Sequence, residues 1–244
     1  MPYEDSSFGN KFVLLSSKRT LIQSDRIMKV INLSEGNSLL NQYVAEIRDV
    51  RIQGDRLRFR RNIERIGEIM AYEISRTLPY AVRPVGTPLG TAQMSTPACQ
   101  PVLATILRAG LPFHQGFLNY FDQAENAFVS AYRKYVNEQQ FDIHIEYIAS
   151  PRIDGKVLIL ADPMLATGGS MELSYRAMLT KGEPAAVHVA SVIASRQAVE
   201  HVCRVFPAEK TTVWCAAIDP DLNDHSYIVP GLGDAGDLAF GEKE

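Results

Sequence analysis

Val157-Leu158-Ile159-Leu160-Ala161-Asp162-Pro163-Met164-Leu165-Ala166-Thr167-Gly168-Gly169-Ser170 is the stretch whose reading decides the fold. An apolar run, an acid, and a small-residue loop ending in Thr-Gly-Gly-Ser read as a core strand from Val157 to Leu160, a turn, and a helix from Gly169 to Lys181 with Gly182 as its C-terminal cap. Unbroken apolarity, without alternation, suits a strand covered on both faces. The loop has an anion-binding logic. Gly168 and Gly169 let backbone amides come close to a phosphate, Thr167 and Ser170 add hydroxyl donors, and the helix N-terminus adds partial positive charge. Asp162, at the strand end, is placed to accept hydrogen bonds from sugar hydroxyls. The loop holds no lysine and no G-x-x-x-x-G-K pattern, which separates it from a nucleoside-triphosphate P-loop. Taken alone, it also fits a structural strand–turn–helix in which Thr and Ser only cap the helix.

Working outward, the same strand-then-helix rhythm repeats. Val102 to Leu107 is a short apolar strand, Pro112 to Phe121 a helix, and Ala127 to Tyr132 a further strand. Downstream come a strand from Val187 to Ile193, a helix around Ala198 to Val205, and a strand from Thr211 to Ala217. This alternation predicts an α/β fold, a mainly parallel sheet flanked by helices, with ligands at the carboxyl ends of the strands. Residues 134–150 alternate (Phe141, Ile143, Ile145, Tyr147) and read as a β arm.

Upstream, residues 1–34 read as an extended arm. Gly36 to Val50 reads as a helix striped by Leu40, Tyr43, Val44, Ile47 and Val50. A second helix from Leu57 to Leu78 carries Phe59, Ile63, Ile66, Met70 and Ile74 and is stopped by Pro79. Prolines and glycines between Tyr80 and Pro101 exclude regular helix and leave a loop or edge hairpin. The expected organisation is one domain over 1–244: arm and helices over 1–100, an α/β core over 101–218 and a tail over 219–244.

Composition narrows the function. The 244 residues are 46% apolar and 22% charged, which excludes disorder. No apolar run is long enough to cross a bilayer, and the polar N-terminus does not read as a secretory signal, so a cytoplasmic protein without membrane partners is expected. The net charge of −3 argues against a protein built to hold nucleic acid. Cys99, Cys203 and Cys215 read as reduced, partly buried thiols, and His188 and His201 as structural, with no metal-ligand spacing. The arginines 51, 56, 58, 60, 61 and 65 are either a solvated helix face or an anion or partner surface.

The Ala161–Ser170 string resembles the loop with which phosphoribosyltransferases bind 5-phosphoribosyl-1-diphosphate (PRPP), and within them the A/V-D-P-M-L-A-T-G-G-S loop of the uracil phosphoribosyltransferase family. Two further stretches agree in order. Thr105 to Leu111 is similar to that family's pyrophosphate loop, and Ile218-Asp219 with Tyr227 to Asp237 is similar to its uracil-binding segment. The resemblance implies a type I phosphoribosyltransferase fold with a helical N-terminal extension and a β arm. It implies transfer of the phosphoribosyl group of PRPP to N1 of uracil, giving UMP and pyrophosphate.

It also implies site residues. PRPP would be held by Arg108, Arg133, the Asp162–Ser170 loop (Asp162, Pro163, Met164, Leu165, Ala166, Thr167, Gly168, Gly169, Ser170) and Asp234. Uracil would be held by the backbone of Ile228, Gly233 and Ala235, with Asp234 beside it. Arg108, Asp162 and Asp234 are the implied catalytic groups. Asp234 would hold a water or Mg²⁺ beside PRPP, or help remove the N1 proton. Pro163 and Ala166 occupy places that are acidic in related transferases, so Mg²⁺ is expected to arrive with the pyrophosphate, with no direct protein ligand. After Tyr132-Arg133 the chain departs from the family's acidic N/D-E-E-T stretch, having Lys134-Tyr135-Val136-Asn137-Glu138 instead. A homo-oligomer, dimer or tetramer, and a GTP effector belong to the same implication. Two other readings remain. One is a regulator of this fold that binds RNA through the Arg51–Arg65 cluster; the other is a transferase for a different base.

Overall fold

The computed structural model describes residues 22–23, 26–135 and 141–242. The described residues open with a two-stranded ladder, β1 (Ile22–Gln23) and β2 (Arg26–Ile27), then β3 (Lys29–Asn32) and the helices α1 (Leu39–Arg48) and α2 (Arg56–Ser75). A hairpin, β4 (Tyr80–Thr87) and β5 (Gly90–Pro97), leads to β6 (Val102–Leu107), α3 (Gly110–Leu118), β7 (Glu125–Tyr135) and β8 (Phe141–Ala149). Then come β9 (Val157–Ala161), β10 (Met164–Leu165), α4 (Gly169–Leu179), β11 (Ala186–Ser195), α5 (Arg196–Val205) and β12 (Thr211–Asp219). The tail holds β13 (Asp221–Leu222), β14 (Ile228–Val229) and α6 (Ala235–Phe240).

The main sheet has the order β3-β12-β11-β9-β6-β7-β8, with β10 added beside β11. Its pairings are parallel except β7 with β8. The mainly parallel α/β sheet expected from the strand–helix rhythm is therefore observed. β9 and β6 lie at the centre and are buried on both faces. Leu103, Ile159 and Ala161 face a core shared with α1, α2 and α3, whereas Val102, Ala104, Leu158 and Leu160 face one shared with α4 and α5. Each large aliphatic side chain buried in these layers contributes about 1.5–3 kcal/mol.

The helices differ at their ends from the sequence reading. α1 starts at Leu39, not Gly36, because Ser38 caps it through Leu40 N–H at 3.2 Å; Val50 lies beyond its end and is 83% exposed. α2 starts at Arg56, one residue after its cap Asp55, and stops at Ser75, before Pro79 is reached. The Ser75 and Thr77 hydroxyls donate to Tyr72 O at 2.6 Å and Ile74 O at 2.8 Å, so the last carbonyls are satisfied locally and the chain turns. α3 begins at Gly110 with Pro112 in its first turn, where no proline N–H is needed.

The region 80–101 forms a hairpin in a sheet of its own, not an edge of the main sheet. The arm expected over residues 1–34 contributes β3, parallel to β12 at the sheet edge; residues 1–21 lie outside the described residues. Cys99 is exposed, against the expectation of burial, because it follows β5 on the hairpin; Cys215 is buried and Cys203 partly so. α2 and α3 cross closely: a Cβ on Gly116 would meet Glu64 O at 2.1 Å.

Candidate active site

Three loops leave the carboxyl ends of the sheet and converge. The first follows β6, where a cis peptide joins Leu107 to Arg108. The second follows β9, and the third is the tail after β12. They enclose a cleft of about 530 Å³. Arg108, Asp162, Met164, Ala166, Ser170, Ile228, Gly233, Asp234 and Ala235 line it, so most of the anticipated site residues are brought together. Ser226, Tyr227, Gly236 and Asp237 line it too without having been singled out. Tyr227, Gly236 and Asp237 belong to the Tyr227–Asp237 string and Ser226 directly precedes it, but single roles inside a glycine-rich loop carry no spacing rule.

Asp162 is set by the sheet. Its N–H donates to Ala190 O at 3.0 Å, and its Oδ1 accepts from Met164 N–H at 3.2 Å. Beyond it the loop stays in the sheet: Ile193 N–H donates to Pro163 O at 2.9 Å, and Met164 and Leu165 pair with Ile193 and Ala194. Pro163, Leu165 and Gly168 are therefore buried behind the cleft, and Thr167 and Gly169 do not line it. Ser195 Oγ donates to Ala166 O at 2.5 Å and fastens the loop from below.

Gly168 ends the turn at φ +87° as the cap of α4, whose N-terminal amides receive no side-chain cap from it. Its inner face packs on His201, which a Cβ would approach to 2.8 Å. That ring sits 2.7 Å from Glu172 on α4, so His201 is structural as expected. His188 is structural too, accepting from Trp214 Nε1 at 3.1 Å.

Arg108 extends across the cleft to the tail, with Nη2 3.0 Å from Asp237 Oδ1 and 3.4 Å from Gly241 O. Asp234 caps α6, accepting from Gly236 N–H at 2.8 Å and Asp237 N–H at 3.0 Å. A six-residue helix is too short to show a period, which is why the tail reads as loop. Asn223 Oδ1 takes the N–H groups of His225 and Tyr227 at 3.0 and 2.9 Å and shapes the turn before β14. Arg133 lies in β7 opposite Ile143; its side chain, and residues 136–140 of the arm, lie outside the described residues.

Much of the arginine cluster is engaged by its own neighbours while staying exposed. Arg51 pairs with Asp49 at 2.7 Å, Arg58 with Glu46 at 2.8 Å and Arg61 with Glu64 at 2.5 Å. Arg60 donates to Ala239 O at 2.7 Å, and Arg65 donates to Asn62 at 3.1 Å while lying over the Tyr43 ring. Among the described residues, no helix is long and apolar enough to cross a membrane.

A core strand delivering an acid and a glycine turn to a helix N-terminus, opposite an arginine from the neighbouring strand, is the architecture of the type I phosphoribosyltransferases. Comparison with known proteins gives the particular branch. The family model described as uracil phosphoribosyltransferase matches residues 34–242. A uracil phosphoribosyltransferase of Porphyromonas gingivalis is 68% identical over 216 residues, covering 88% of this chain and 100% of that one. One from Methanothermobacter thermautotrophicus is 42% identical over 195 residues, covering 79% and 88%. The solved AQ2163 protein from Aquifex aeolicus superposes with a TM-score of 0.77 at 28% identity, covering 87% of this chain and 98% of that one. The chain belongs to the uracil phosphoribosyltransferase family.

Proposed function

We propose that the chain transfers the 5-phosphoribosyl group of PRPP to N1 of uracil, forming UMP and pyrophosphate. The observation that carries the reading is the convergence of Arg108, Asp162 and Asp234 on one cleft between the glycine loop and the tail. In this reading the phosphate end of PRPP lies at the N-terminus of α4, beside Ser170, where the Thr167–Ser170 turn meets the cleft, and Asp162 accepts from the ribose hydroxyls. The Arg108 fork takes the diphosphate, joined by Arg133 from β7. As the glycosidic bond breaks, negative charge grows on the diphosphate, and a fixed guanidinium in a sheltered cleft stabilises it.

Uracil is read by the backbone of Ile228, Gly233 and Ala235, with Asp234 beside the reacting nitrogen. Cytosine carries an amine where uracil has a carbonyl, so a donor would face a donor and a buried group would go unpaired.

Magnesium fits as a companion of the substrate. Among the described residues no three acidic, histidine or cysteine side chains cluster to hold a metal ion. Asp162 and Asp234 offer hard oxygens at the cleft, suited to touching a hydrated Mg²⁺ through water. Bound with PRPP, the ion would neutralise the diphosphate.

The same reading takes 1–244 as one domain: arm and helices over 1–100, PRPP core over 101–218, uracil tail over 219–244. The packing of α1 and α2 on both sheet and tail supports it. The reading extends to a cytoplasmic homo-oligomer, dimer or tetramer, with GTP as an effector; sedimentation with and without GTP tests the last two. The deciding experiment is pyrophosphate release with PRPP and uracil, cytosine, hypoxanthine or orotate. Uracil should lead cytosine by about 10-fold or more. Equal rates with uracil and cytosine would remove the backbone reading, and RNA retention without turnover would favour a regulator.

A further inference from the structure

The tail that carries Ile228, Gly233 and Ala235 is gripped from behind by α1. Arg48, the last residue of α1, meets Asp219, the last residue of β12, through two parallel bonds: Nη1 to Oδ2 at 2.7 Å and Nη2 to Oδ1 at 2.7 Å. The carboxylate is 7% exposed and the guanidinium side chain 22%, so the pair is largely withdrawn from water. Both members then reach the same backbone residue. Asp219 Oδ2 accepts the Gly231 N–H at 2.8 Å, and Arg48 Nη1 donates to the Gly231 carbonyl at 2.9 Å.

Gly231 lies in a tight turn closed onto Ile228. Its φ is +56°, and a Cβ there would lie 2.1 Å from the Ile228 carbonyl oxygen, so the chain is folded back on itself across these residues. Gln53, in the turn after α1, adds a second hold: its Nε2 donates to Ile47 O at 2.9 Å and to Leu232 O at 3.1 Å. Neither Arg48 nor Asp219 lines the cleft.

We propose that the Arg48–Asp219 pair is a positioning device for base recognition, setting the Ile228–Gly233 backbone at the height over the cleft where it reads uracil. The proposal rests on the uracil reading above. Charge-assisted bonds in a fork are both strong and directional, so they fix a position as well as a contact. Lysine in place of Arg48 keeps the charge but has no planar fork with which to hold Asp219 and Gly231 together. The helical part of 1–100 thereby takes part in specificity without touching a substrate.

The test is steady-state kinetics of Arg48→Lys and Asp219→Asn beside the unaltered enzyme, varying uracil and PRPP in turn, with thermal midpoints recorded. KM for uracil should rise about 10–100-fold, the size of effect expected when a binding group is displaced by about 1 Å. KM for PRPP should stay near the unaltered value, and the preference for uracil over cytosine should shrink. If Asp219→Asn does not fold, Arg48→Lys carries the test, because its charge still meets the buried carboxylate. An equal rise in both KM values, or an unchanged KM for uracil in a folded variant, overturns the proposal. Unaltered enzyme that fails to use uracil would instead overturn the function on which it rests.

Discussion

Arg108 and Asp237, 129 residues apart in sequence, form an ion pair of 3.0 Å that ties the loop after β6 to the first turn of α6. The guanidinium side chain is 42% exposed, so it is held by a carboxylate yet open to the cleft. In our reading a diphosphate offers pairs of anionic oxygens that a guanidinium grips as it grips a carboxylate, and Arg108 passes from one anion to the other when PRPP enters. Arg108→Ala should therefore lower turnover about 10²–10³-fold while leaving the thermal midpoint close to that of the parent. Pyrophosphate release measures the first and differential scanning fluorimetry the second. Near-parental activity would remove Arg108 from the chemistry.

Asp234 both caps α6 and lines the cleft, and substitution can separate the two. Asp234→Ala removes both the cleft carboxylate and the cap of α6, costing about 0.5–2 kcal/mol of stability. Asp234→Ser keeps an oxygen for the Gly236 and Asp237 amides but no charge. The serine variant should hold its stability and lose activity as the alanine variant does. Full activity in the serine variant would leave Asp234 with the cap alone.

Stability should fall on acidification in two windows. Burial, with Lys29 nearby, pushes His188 down from 6.5 to about 4 in the folded chain. Between those values the unfolded chain binds the extra proton, so stability rises with pH across that range. Glu46 is held down from 4.5 to about 2 by its bonds to Arg58 and then Asn62. Its contribution is complete above 4.5 and is lost as pH falls towards about 2. Urea midpoints at intervals from pH 3 to pH 7 should climb, and Glu46→Gln should flatten the acid end of the curve. A midpoint independent of pH over that span would contradict both assignments.

The crossing of α2 over α3 leaves no room for a methyl group. A Cβ on Gly116 would lie 2.1 Å from Glu64 O and 2.9 Å from Glu68 N, both rigid helix backbone. Gly116→Ala should cost about 1–3 kcal/mol, with a lowering of Tm of about 2–4 °C per kcal/mol in a chain of this size. An unchanged Tm would mean that the helices separate freely.

The centre of the fold is the part that local chemistry writes most clearly. β6 and β9 are buried on both faces, so their sequences are bare apolar runs, and the strand–helix rhythm around them follows. The Asp162–Ser170 loop offered itself as a candidate anion site because its residues are consecutive. Its division of labour was not legible: Pro163 and Leu165 serve the sheet through β11, and Gly168 faces His201, which depends on partners distant in sequence. β3 was hidden for a similar reason, since four residues at a sheet edge, with only Val30 buried, lack the apolar signature of a central strand. α6 is too short for periodicity, and the Arg48–Asp219 pair joins residues 171 apart that no spacing rule connects.

Trp214 is the one tryptophan of the chain, buried in β12 with its indole N–H on His188 of β11. Tryptophan emission from this protein thus reports one place, the seam between β11 and β12. Binding at the cleft should leave that light almost unchanged, whereas parting of the seam should shift it to the red. The chain comes with an internal lamp for sheet integrity, and ligand titrations will need a different dye.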